Sequence, residues 1–182
     1  VSWRQCGSLY IGVTKRWARP CMAVASVREG LWANAPEDPP AQQIYKTIMD
    51  ADSSYNRPPC RDSYMIGLTL RWIEEEMGGL AALKKHNEEK AAILYDYLDS
   101  QSFYSATVEK PFRSIMNVTF TSPDKELDAA FVAGAKEHNI VNIKGHRLVG
   151  GMRASIYNAM PKAGVQALVD YMQKFAQQNG GK

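Results

Sequence analysis

The stretch from residue 144 to 160 reads KGHRLVGGMRASIYNAM and holds the side chains best suited to chemistry in this chain. Lys144, His146, Arg147 and Arg153 place four cationic or potentially cationic groups within ten residues. Gly145, Gly150 and Gly151 lie among them, and glycine lets a backbone turn closely around a ligand. Arginine offers a planar fork of donors that matches carboxylate and phosphate oxygens. His146 adds a donor, and a charge when protonated. The chemistry these residues spell is capture of a small anion. The competing reading is a solvated basic turn, because charge runs usually face water.

The elements around this stretch decide how its cations are held. Residues 115–121 alternate as a strand. Ser122-Pro123-Asp124 reads as a helix start, with Ser122 capping, Pro123 at the first helical position and Asp124 in the first turn. Leu127, Ala130, Phe131 and Ala135 then line a helix. Residues 140–143 read as a strand entering the basic turn and 152–157 as a strand leaving it. Pro161 opens a final helix whose core face is Val165, Leu168, Val169, Met172 and Phe175. The last third is therefore β-α-β-β-α, a small α/β sandwich with helices on one face of a sheet.

Upstream, residues 8–13 and 22–28 read as short strands, and the Pro- and turn-rich stretches 34–41 and 50–59 as loops. Residues 61–77 have helical spacing, with Met65, Leu68, Trp72 and Ile73 on one face, until Gly78-Gly79 stops or bends the chain. Residues 80–100 form a second helix whose apolar set is Leu83, Ile93, Leu94, Tyr97 and Leu98. Lys84–Glu88 and Lys85–Glu89 sit one turn apart on what reads as its solvated face. Glu74, Glu75 and Glu76 read as surface rather than as an acid/base pair.

The totals narrow the classes. A chain of 182 residues holds one domain or one and a half. A net charge of +3 without a long basic block argues against a nucleic-acid partner. No apolar run approaches the roughly eighteen residues of a membrane helix, and the first residues show no leader peptide. Cys6, Cys21 and Cys60 are odd in number and widely spaced, so reduced thiols and a cytoplasmic location are expected. His86, His138 and His146 have no metal-ligand spacing, so no metal is expected. Phosphate-binding loops of the G-x-x-x-x-G-K-[ST] and G-x-G-x-x-G kinds are absent, as is a G-x-S-x-G elbow. The first residue is Val1 and a strand follows almost directly, which suggests a fragment of a longer chain.

The basic stretch closely resembles the C-terminal signature of the phosphoserine aminotransferase family, class-V transaminases of the pyridoxal-phosphate fold type I. Tyr55-Asn56-x-Pro58-Pro59, Asn87-Glu88-Glu89-Lys90-Ala91-Ala92, Leu94-Tyr95-Asp96, Met116-Asn117-Val118 and Gly164-Val165-Gln166-Ala167-Leu168 fall in family order at family-like spacing. The likeness covers nearly the whole chain and is strongest from about residue 55 onward. It implies an α/β fold that is the C-terminal half of a fold-type-I enzyme. Residues 1–80 would end the large cofactor-binding domain and 81–182 would form the small C-terminal domain.

The resemblance also implies roles. The family's cofactor lysine sits in a motif like Y-A-G-A-Q-K-N, matched here by Tyr10-Ile11-Gly12-Val13-Thr14-Lys15-Arg16. Lys15 would form the imine with pyridoxal 5'-phosphate and move the proton at the substrate Cα. Thr14 would line the cofactor beside it. Asn56 and Arg57 match an Asn-Thr pair that reaches the cofactor phosphate across a dimer interface. His146 and Arg147 would meet the phosphate of phosphoserine, and Arg153 its α-carboxylate. Thr14, Arg16, Ala18, Arg19 and Arg57 depart from the family pattern and bear on whether this chain supports turnover. The acid at the pyridine nitrogen and the aromatic over the ring would precede Val1.

The expected activity is amino transfer between glutamate and 3-phosphohydroxypyruvate, giving phosphoserine and 2-oxoglutarate, by a cytoplasmic homodimer. A phospho-oxo acid of pyridoxine synthesis is a further expected substrate. The alternatives are a non-catalytic dimerisation remnant of such an enzyme, or another fold-type-I transaminase such as an alanine–glyoxylate relative.

Overall fold

In the computed structural model, residues 8–12, 23–28, 30–31, 39–40 and 44–180 are described. The chain divides into two compact units, Val1–Glu76 and Met77–Lys182.

In the first unit, strands β1 (Ser8–Gly12) and β2 (Ala23–Val27) pair antiparallel, with Ser8 opposite Val27 and Gly12 opposite Ala23. Helix α1 (Tyr45–Asp50) follows, closed by an exposed Lys46–Asp50 pair at 2.8 Å. Helix α2 (Cys60–Arg71) starts directly after Pro59, whose ring cannot continue a preceding turn, and runs into a π-helical turn over Trp72–Glu76. The buried line of this helix is Ile66 and Ile73, two turns apart, whereas Met65 and Leu68 are exposed. The expected face was thus too broad. At about 100° per residue, Met65 points about 100° and Leu68 about 160° away from Ile66.

The second unit opens with Gly78 and Gly79 at φ +74° and +86°, the left-handed conformation that ends the preceding turn. Helix α3 (Gly79–Ser100), strand β3 (Ser105–Ala106), strand β4 (Asn117–Thr121), helix α4 (Lys125–Glu137), strand β5 (Met152–Ser155) and helix α5 (Lys162–Gln178) follow. The sheet is antiparallel in the order β3-β4-β5, with Thr119 opposite Arg153 and Phe120 opposite Met152. Period-2 alternation splits it cleanly. Val118, Phe120, Met152 and Ala154 enter the core, while Asn117, Thr119, Arg153 and Ser155 occupy the opposite face. All three helices contribute to that one core through Leu94, Phe131 and Met172, each fully buried. Aromatic rings lock it edge to face, with centroids 6.0 Å apart for Phe120–Phe131 and 5.2 Å for Phe131–Phe175. The two buried phenols are satisfied: Tyr104 donates to the Met172 carbonyl and Tyr171 to that of Phe131.

Four local expectations change. Asp124, not Ser122, caps α4, accepting from the Leu127 N–H at 2.8 Å. Ser122 is instead buried, and its N–H and hydroxyl both bond Asp128, so the sequence has two oxygen caps three residues deep and uses the inner one. Ala130 is exposed, and Val132 packs on the core in its place. Residues 140–143 are not a strand, because Asn139 and Asn142 both take φ +59° and break extended pairing; a single bridge, Lys144 to Met152, remains. Finally, no Lys85–Glu89 bridge forms among the described residues. Glu89 pairs with Lys162 at 2.6 Å, while Lys84–Glu88 stays loose at 3.7 Å.

Candidate functional site

The basic stretch folds as a tight hairpin that feeds β5. Its base is closed by the Gly145 N–H to Gly151 carbonyl bond at 2.8 Å and the Arg153 N–H to Ile143 carbonyl bond at 2.7 Å. Two glycines are required by space. A side chain at Gly145 would run into the Gly150 carbonyl, and one at Gly151, where φ is +63°, would come within 2.8 Å of the Phe120 carbonyl. The tip is a turn in which the Val149 and Gly150 N–H groups both bond the His146 carbonyl.

This geometry presents one imidazole and two guanidinium groups without a carboxylate partner among the described residues. The His146 Nδ1 accepts from the Leu148 N–H at 3.3 Å, which leaves Nε2 as the ring N–H. Arg147 is exposed, and no carboxylate among the described residues pairs with His146, Arg147 or Arg153. Arg153 leaves β5 on the polar face of the sheet. Thr119 lies opposite it, and its hydroxyl bonds that of Thr107. Further along the same face, Ser155 donates to the Asn117 side chain at 3.1 Å. The Arg153 Nε is shielded from solvent yet has no hydrogen-bond partner among the described residues. A buried donor left unmade costs about 1–3 kcal/mol, so this Nε–H has an unmet need for an acceptor among the described residues. A carboxylate fits that requirement, since it is the planar complement of a guanidinium.

Asn56 and Arg57 lie in the turn between α1 and α2, after Asp52 and Ser53 at φ +48° and +62°. Both side chains are exposed and make no hydrogen bond among the described residues. An amide and a guanidinium side by side are a donor set suited to phosphate oxygens. The structure thus brings His146, Arg147 and Arg153 together on one hairpin and keeps Asn56 and Arg57 together on one turn. Thr14 and Lys15 lie outside the described residues, as do Arg16, Ala18 and Arg19. Among the described residues no group of three His, Cys, Asp or Glu is placed to hold a metal, and no helix is long and apolar enough to cross a membrane.

Sequence reasoning missed one feature. Lys90 of α3 is completely buried, and its ammonium donates to the Tyr157 and Asn158 carbonyls at 2.7 and 3.2 Å. Asn87, one turn before it, donates to the Asn158 side chain at 2.9 Å. The signal was present: Leu83, Asn87, Lys90 and Leu94 follow helical spacing, so the two polar residues sit within an apolar stripe.

A family model for class-V aminotransferases matches residues 40–168. The chain belongs to the class-V aminotransferase family. It is 44% identical over 174 residues to the phosphoserine aminotransferase of Desulfatibacillum aliphaticivorans, an alignment covering 96% of this chain and 48% of the relative. Its fold superposes on the solved phosphoserine aminotransferase of Bacillus circulans subsp. alkalophilus with a TM-score of 0.93 at 39% identity, covering 99% of this chain and 50% of that one. The PLP-bound phosphoserine aminotransferase of Trichomonas vaginalis gives a TM-score of 0.87 at 33% identity, covering 95% and 49%. The chain spans about half the length of the curated relatives it matches. Its architecture is accordingly that of about half of a fold-type-I class-V aminotransferase, and the glycine-bounded hairpin lies within the segment the family model matches.

Proposed function

We propose that this chain is the C-terminal half of a phosphoserine aminotransferase that moves an amino group between glutamate and 3-phosphohydroxypyruvate, using pyridoxal 5'-phosphate. The observation that carries the reading is the hairpin of unpaired cations, with the shielded and unpartnered Arg153 Nε at its base. The substrate has a phosphate dianion at one end and a carboxylate at the other. His146 and Arg147 bind the phosphate, the first through its Nε2–H and the second through its guanidinium. Arg153 takes the α-carboxylate in a bidentate grip. Anchoring both ends fixes the amine-bearing carbon for reaction, which converts binding energy into orientation.

Pyridoxal phosphate supplies the aldehyde and the electron sink of the reaction when bound. Lys15 would hold it covalently and would move the proton at the substrate Cα. Thr14 lines the cofactor, and Asn56 and Arg57 hold its phosphate. The enzyme works as a cytoplasmic homodimer in serine synthesis, and a related phospho-oxo acid of pyridoxine synthesis is a second substrate.

The test is amino transfer by the full-length protein. Phosphoserine with 2-oxoglutarate should give glutamate, and added cofactor should change the visible spectrum in wild type but not in Lys15→Ala. Turnover of alanine with no response to phosphoserine would replace this reading with another fold-type-I transaminase. A spectrum unchanged in wild type would remove the Lys15 assignment.

A further inference from the structure

Lys90 is the one fully buried charged side chain among the described residues. No carboxylate pairs with it there, and burial pushes its pKa below the ordinary lysine range. An unpaired buried ammonium is a poor source of stability, since an apolar side chain of the same length would fill the space without desolvating a charge. An ammonium does one thing an apolar chain cannot: it must have acceptors, and it holds those acceptors in place. Here they are two successive carbonyls, Tyr157 and Asn158, immediately past β5.

That position matters because β5 is a four-residue edge strand. Upstream, the hairpin bonds at Gly145 and Arg153 fix where it begins. Downstream, the Ile156 N–H bonds the Met116 carbonyl at 2.8 Å, and then the chain leaves the sheet. Beyond that point Lys90, with Asn87 bonded to the Asn158 side chain, ties the departing backbone to α3. Arg153 lies between these two anchors.

Resting on the functional reading above, we propose that Lys90 is a positioning residue for Arg153: its two carbonyl bonds clamp the exit of β5 and so set where the guanidinium meets the substrate carboxylate. Lys90 touches neither substrate nor cofactor. Its effect passes through the backbone of residues 154–158 to the strand that carries Arg153.

The experiment uses the full-length holoenzyme and Lys90→Met, which keeps an unbranched side chain one atom shorter and removes all three donors. KM for phosphoserine should rise about tenfold, with kcat within about twofold of wild type, because a small misplacement of a binding group weakens anchoring. In an Arg153→Ala background, Lys90→Met should raise KM no further, because the group it positions is gone. Leu98→Ala, a core change on the same helix, should lower the melting temperature and leave KM unmoved. An unchanged KM in Lys90→Met overturns the inference. So does an undiminished rise in the Arg153→Ala background, which would mean that the buried charge acts through space. If Lys90→Met does not fold, Lys90→Gln keeps a polar donor but shortens its reach to the two carbonyls; about a threefold rise in KM supports the clamp, and no rise overturns it. A wild-type enzyme inert toward phosphoserine overturns the functional reading and this inference with it, whereas wild-type turnover with an unmoved variant KM overturns the inference alone.

Discussion

The two faces of the β4–β5 pair do different work with the same backbone. On the inner face, Val118, Phe120, Met152 and Ala154 are buried in one continuous core. On the outer face, Thr119 and Arg153 are half-buried, and Arg153 keeps a shielded donor without a partner. The inner residues satisfy one another, so their value is stability. The outer arginine has no partner for its Nε among the described residues, so under the proposed function its value lies in what it binds. Strand alternation places these duties on neighbouring residues: Arg153 sits between Met152 and Ala154, and packing on one side fixes the stage for the other.

This division can be broken or sharpened by substitution. The largest effect expected is on the inner face. Phe120→Ala removes a fully buried ring that meets Tyr104 and Phe131 edge to face, and should cost about 3–5 kcal/mol in urea denaturation. A loss below about 1 kcal/mol would mean that the inner face does not carry the fold.

Arg153→Ala comes next and should invert the pattern. Affinity for phosphoserine in the full-length enzyme should fall by about 2–3 kcal/mol, near a hundredfold, as expected for charge-assisted bonds to a carboxylate. The melting temperature should hold or rise, because an unmet donor is removed. Isothermal titration and a thermal melt decide it together, and a destabilised variant with normal affinity would place Arg153 among the structural residues.

Gly151→Ala probes the link between the faces. The position needs φ +63° and has the Phe120 carbonyl 2.8 Å from where a Cβ would stand. A cost of about 1–2 kcal/mol is expected from the left-handed backbone alone, together with weaker phosphoserine binding as the hairpin shifts. Normal binding in a destabilised Gly151→Ala would uncouple the hairpin from the ligand.

The smallest effect concerns a charge cluster away from this sheet face. Hydrogen bonds from Arg113 and then Lys110 hold the Asp99 carboxyl well below the usual carboxylate range, and Arg113 also lies 4.6 Å over the Tyr95 ring. The folded state therefore binds fewer protons here than the unfolded chain once pH drops to about 4. Stability from this group is present above that range and is lost as pH falls toward the folded-state pKa. Acid melts should show wild type losing stability below about pH 4 by a margin that Asp99→Asn lacks. Identical acid limbs would mean that the cluster is fully screened.

Much of the second unit was legible before any coordinates. The α5 stripe of Val165, Leu168, Val169, Met172 and Phe175 is buried throughout, because helical period is a property of nearest neighbours along the chain. The same holds for the alternation of β4 and for the turn at Gly78-Gly79. Errors arose where two local solutions competed. Ser122 and Asp124 are both good caps, and only the contact of Ser122 with Asp128 decided between them. Residues 140–143 are apolar enough for a strand, but the left-handed Asn139 and Asn142 end extended pairing there. Of the candidate site, the hairpin is visible as a string of glycines and cations, while Lys90 is given no role beyond its place in the family-like motif of residues 87–92.

By itself the sequence determined the types of group available and their local spacing: cations bounded by glycines, an apolar α5, an alternating β4. Those follow from bond geometry and from side-chain chemistry that each residue carries wherever it lies. Tertiary structure alone decided which charges are spent internally and which are left over. Lys90 meets two carbonyls 67 and 68 residues away in sequence, whereas the Arg153 Nε meets none among the described residues. Helical spacing can mark a residue such as Lys90 as facing inward, but its partners are relations between distant segments, which neighbours along the chain do not assign.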